Sequence, residues 1–70
     1  MNLADRVYLA RYYEIDGPTK MGSLFGRDRK HIAVLIGIMK ENGEYERYRN
    51  LTEEQYEKIQ ENAEEEKVND

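Results

Sequence analysis

The chain contains no cysteine and, among 70 residues, only one proline and one histidine. Without cysteine there is neither a disulfide nor a thiolate metal site, which suits a reducing cytoplasm. His31 alone leaves a zinc site without a second imidazole, so no structural metal and no cofactor are expected. Also missing is any apolar run near the roughly 20 residues of a membrane span. The opening "MNLADRVYLARYY" carries charges every few residues where a signal peptide would have an apolar core. These absences read as a cytoplasmic protein without a membrane segment. Hydroxyls and carboxylates show no base, nucleophile and orienter arrangement around His31, so the chain reads as a non-enzyme. Seventy residues make one domain near the small end of what folds alone, burying about 60% of the unfolded surface.

The net charge of −4 is unevenly spread. Residues 19–49 hold seven Lys or Arg against four acids, and residues 50–70 hold two against eight. A basic middle followed by an acidic end can mark a partner of negative charge, or two solvated helix faces of opposite sign.

Four helices are expected, at about 2–14, 18–25, 28–42 and 52–63. Asn2 can cap the first, with Leu3, Val7 and Ala10 on one inward stripe and Ala4, Tyr8 and Tyr12 on the next. Gly17 supplies a turn, and Pro18 suits the first position of the second helix. Met21, Leu24 and Phe25 are its inward residues, and Gly26 stops it. Asp28 is placed to cap the third helix by accepting from Lys30 or His31, with Ile32, Leu35, Ile36 and Met39 facing inward. "EYERYRNL" has Tyr45 and Tyr48 three apart, which suits a helical turn better than a strand, and both tyrosines read as core. Thr52 with Gln55 makes a capping box for the fourth helix, while Leu51 and Tyr56 occupy the positions of a hydrophobic staple. Residues 1–62 form the domain, and 63–70, with little left to bury, read as an acidic frayed tail.

Measured from Gly26, a small residue lies four back (Gly22) and apolar residues lie five and one back (Met21, Phe25) and six and nine ahead (Ile32, Leu35). With these spacings "KMGSLFGRDRKHIAVLI" resembles the helix-turn-helix superfamily, in its homeodomain-like or resolvase-like tri-helical form. The likeness covers about residues 18 to 40. It implies an all-α fold: a tri-helical helix-turn-helix core with an appended C-terminal helix. "GEYERYRN" is too short for the hairpin of a winged domain. The resemblance further implies a small double-stranded-DNA-binding protein, a transcriptional regulator or phage-type accessory factor, whose third helix enters the major groove.

Carried over by position, Asp28, Arg29, Lys30, Ala33, Val34 and Gly37 face base edges. Arg29 suits a bidentate contact to guanine, while Ala33 and Val34 suit a thymine methyl. Thr19, Lys20 and Arg27 look like phosphate ligands that fix orientation, with His31 either a further phosphate contact or a partly buried side chain. Arg47 and Arg49 flank Tyr48 and could touch phosphates or pair with nearby acids. Val34, Gly37 and Ile38 stand where strong readers carry polar side chains. That departure leaves a second reading open: an inhibitor or adaptor docking a protein partner through this face. Useful specificity from so small a module calls for a dimer or partner. Tyr56, Ile59 and Ala63 could supply a homodimer contact, or close the chain's own core.

Overall fold

The computed structural model describes the backbone of residues 1–68 and the side chains of residues 1–63. Among the described residues every regular element is a helix: α1 Leu3–Phe25, α2 Arg29–Glu41, α3 Glu44–Arg49 and α4 Glu53–Val68. None is long and apolar enough to cross a membrane.

The first two expected helices are two arms of α1. Asn2 caps the first, its Oδ1 accepting the Asp5 N–H at 2.8 Å. The arms part at Gly17, whose φ of 83° and ψ of 168° are non-helical, and Pro18 opens the second arm where its missing N–H leaves no bond unmade. Asp28 then caps α2 through the His31 N–H at 2.8 Å, one of the two donors expected. "EYERYR" is indeed helical, as α3, and its single turn brings Tyr45 and Tyr48 to the core together. The capping box at α4 closes both ways: Gln55 N–H donates to Thr52 Oγ1 at 3.1 Å and Thr52 N–H to Gln55 Oε1 at 2.9 Å. α4 continues to Val68, five residues past its expected end, in keeping with the good helix propensity of Ala, Glu and Lys. The remainder of the expected frayed tail, Asn69 and Asp70, lies outside the described residues.

α1 packs against α2, α3 and α4, and α2 against α3. The core joins Val7, Leu9 and Ala10 from the first arm and Met21 from the second to Ile32, Ile36 and Met39 of α2 and the two α3 tyrosines. Leu35, Phe25, Leu51, Tyr56 and Ile59 pack around it, half-buried. Two expected core residues lie outside. Leu24 is 59% exposed, because the second arm's inward face centres on Met21, Gly22 and Phe25 and turns Leu24 away. Leu3 is 49% exposed at the open end of the first arm, and fully buried Leu9 takes a place the stripe assignment missed.

Burial pushes the Tyr45 hydroxyl above its ordinary pKa, helped by its 3.1 Å hydrogen bond to Glu14. Burial does the same to Tyr56, with Tyr12 and Tyr8 beside it. A tyrosine raised in the folded state holds its proton longer there than in the unfolded chain. Its contribution is therefore complete below the unfolded value of about 10 and is lost as pH rises through the folded value. Urea unfolding between neutral and strongly alkaline pH should show stability falling from about pH 10 upward. The Tyr45→Phe/Tyr56→Phe variant should lose stability less steeply over the same range.

Candidate nucleic-acid interface

The geometry of the surface formed by α2 begins at Gly22. A methyl group built on its Cα would stand 2.4 Å from the Arg27 backbone oxygen and 3.4 Å from the Arg29 nitrogen. The second arm of α1 therefore passes the start of α2 almost backbone to backbone. Gly26 makes the corner at φ 67°, in left-handed backbone that side chains with a Cβ disfavour. Its N–H and that of Arg27 both donate to the Gly22 carbonyl, the latter at 2.8 Å. Ile32, fully buried, and Ile36 anchor the far side of α2 in the core. The opposite side is thereby fixed outward.

That outward side carries the expected base-facing residues. Arg29, Lys30, Ala33, Val34 and Gly37 are all exposed. Asp28 is exposed too, but its carboxylate is committed to capping α2, so it positions the helix before it can meet anything else. The first turn of α2 has no acidic residue, and its N-terminus faces Arg27, Arg29, Lys30 and His31. A helix N-terminus already carries partial positive charge, so these cations raise the local potential. Since the Asp28 carboxylate already occupies the helix end, an anion such as phosphate would be drawn to this corner chiefly by the surrounding cations.

Candidate phosphate ligands divide into two groups. Arg27 and His31 lie one turn apart on the exposed corner, Nη1 and Nε2 separated by 3.4 Å. His31 is exposed, not partly buried, because a step of one residue, about 100° of helix rotation, carries it round from the Ile32 side. Thr19 is exposed, and Lys20 reaches Asp16 across the break in α1 at 3.5 Å, a solvent-facing pair. Arg49, in contrast, turns back into the fold. It pairs with Glu14 at 3.4 Å, donates to the Ala10 carbonyl at 3.4 Å and lies over the Tyr45 ring. Its partner is thus an acid of α1, not one of α3 or α4. Arg47 lies against the Tyr48 ring and, among the described residues, has no ion pair, which leaves it the freer of the two.

A polar frame behind α2 escaped the sequence reading. Arg6 bonds both Glu44 and Tyr48, and the Tyr48 hydroxyl donates to Glu44 at 2.6 Å. Arg11 gathers the carbonyls of Tyr48, Arg49 and Leu51 at 3.0–3.4 Å. Glu44 and Tyr48 are four residues apart, but each arginine lies 37 to 42 residues from the groups it bonds here, and no local spacing announces those contacts. Comparison of the chain with known protein families, characterised proteins and solved structures finds no significant match.

Proposed function

We propose that this chain is a small helix-turn-helix DNA-binding protein, a transcriptional regulator or phage-type accessory factor, that lays the outward face of α2 in the major groove. In this reading the two arms of α1 and α2 form the tri-helical unit, with α3 and α4 appended. The observation that carries it is the corner at residues 22–31. A close glycine crossing, a left-handed turn and a capped helix start come together there, with Arg27, Arg29, Lys30 and His31 exposed around them. Arg29 would meet a guanine edge, Lys30 a guanine or a phosphate, and Ala33 and Val34 a thymine methyl. Arg27, His31, Thr19 and Lys20 would hold phosphates on either side.

Fluorescence anisotropy with mixed-sequence duplex DNA across a salt series tests the reading. Affinity should fall steeply with salt, by about 0.9 in log–log slope for each phosphate neutralised. Arg29→Ala/Lys30→Ala should bind roughly tenfold or more weakly at low salt, with a shallower slope. Circular dichroism of the variant should remain that of a helical protein, since neither side chain is buried.

A second reading has its own observation. Val34 and Ile38 are 62% and 52% exposed on either side of Gly37, an apolar surface on which a protein could sit. Absence of DNA binding even at low salt would transfer the assignment to such an inhibitor or adaptor.

A further inference from the structure

The outward line of α2 runs Lys30, Val34, Gly37, Glu41, with Ala33 and Ile38 beside it. Steps of four, three and four residues keep these positions on one face of a helix. All six are exposed. One end of the line is basic, the other acidic, and the middle is apolar. Its order is self-complementary. Reflected about the midpoint of Leu35 and Ile36, Lys30 falls on Glu41, Ala33 on Ile38 and Val34 on Gly37. Each pair joins a cation to an anion or a large apolar side chain to a small one.

We propose that this face docks a second copy of the same chain, with the two α2 helices antiparallel about a two-fold axis through that midpoint. An isologous contact of this kind needs one patch to match itself under rotation, which the three pairs satisfy. A Cβ at Gly37 would meet nothing within 4 Å, so the surface is open there for the partner's Val34. Among the described residues, neither Lys30 nor Glu41 has an ion-pair partner within its own chain. Burial of Ile38 and Val34 supplies the driving force, and the charged pairs at the two ends set the direction. α4 is the poorer surface for self-association. Tyr56 and Ile59 already pack on their own core, and exposed Glu53, Glu54 and Glu57 would meet like charges on a second α4. Lys30 and Val34 also belong to the proposed DNA face, so on that reading a chain paired through α2 cannot hold DNA at the same time.

The contact is one helix face wide, which places it among weak interfaces that assemble in the micromolar range. Sedimentation equilibrium of the full chain without DNA, from low micromolar to near-millimolar concentration, should show the mass rising from 8.3 kDa toward twice that value. Gly37→Leu leaves the monomer unhindered and removes the hollow, and should weaken association about tenfold or more. Lys30→Glu and Glu41→Lys should each weaken it several-fold, and the two together should restore it. A parallel pairing would not behave this way, since residue 30 would then face residue 30. A monomer at all concentrations, a dimer indifferent to Gly37→Leu, or a charge exchange without recovery would each overturn the proposal. Every arm runs without DNA, so a monomeric result leaves the DNA reading standing, and failed DNA binding leaves the dimer standing.

Discussion

Replacing Gly22 with alanine should destabilise the fold by about 3 kcal/mol, against what helix propensity alone would give. Gly22 lies inside α1, where alanine is the better helix former by roughly 1 kcal/mol. The added methyl, however, would stand 2.4 Å from the Arg27 backbone oxygen. That oxygen is not the end of a flexible side chain. It belongs to the turn whose N–H groups return to the Gly22 carbonyl, so moving it breaks the closure that sets α2 against α1. For a domain of this size the loss corresponds to a fall in melting temperature of about 12–24 °C. At concentrations where the chain is monomeric, Gly37→Ala is the matched control, because a Cβ there meets nothing of its own chain and only the propensity gain remains. Thermal unfolding should therefore move the two variants in opposite directions. If Gly22→Ala melts at or above the native temperature, the close crossing is absent and the outward face of α2 is not held as described.

What could be read beforehand follows from the range of each interaction. Caps and turns depend on a few adjacent residues. Asn2, Asp28 and the Thr52–Gln55 box accordingly stand where their spacing puts them. The inward stripe of α2 was legible for the same reason, since a 3.6-residue period marks its buried face without any knowledge of the partner. Leu3 and Leu24 were misassigned because both lie on wide apolar faces, and only the neighbouring helices decide which part is covered. At the candidate site, the exposure of Arg29, Lys30, Ala33, Val34 and Gly37 followed from the buried stripe opposite them. Arg49 could not be assigned in this way. Its choice between an outside anion and Glu14 depends on α3 lying against α1, a contact spanning 35 residues of chain. The contacts of Arg6 with Glu44 and Tyr48 were hidden for the same reason.

Arg11→Ala should cost about 3 kcal/mol, because its largely buried guanidinium holds several partners inside the fold. α3 is six residues long, far below the length at which a helix persists unaided. Arg11 Nη1 adds a donor to the carbonyls of Tyr48 and Arg49 at its end and of Leu51 just beyond it, at 3.2, 3.4 and 3.0 Å. A cation at a helix C-terminus is also favoured by the dipole. The same guanidinium lies 4.9 Å from the centre of the Tyr56 ring, so it joins α1 to both the end of α3 and the start of α4. Its ion pair with Glu53 is the smaller part, because the Glu53 side chain is 79% exposed and solvent screens the attraction. Glu53→Ala should consequently change stability by under about 0.5 kcal/mol. Arg11→Lys should recover part of the loss, keeping the charge but not the planar fork that gives one nitrogen to the carbonyls and the other to Glu53. Urea unfolding of the three variants separates these contributions. Equal stabilities for Arg11→Ala and Glu53→Ala would mean that water serves the α3 carbonyls as well as Arg11 does. A large loss confined to Arg11→Ala would identify this side chain as a principal tie of α3 and α4 to α1, beside Arg6 and Arg49, and so a guard of the core closed behind α2.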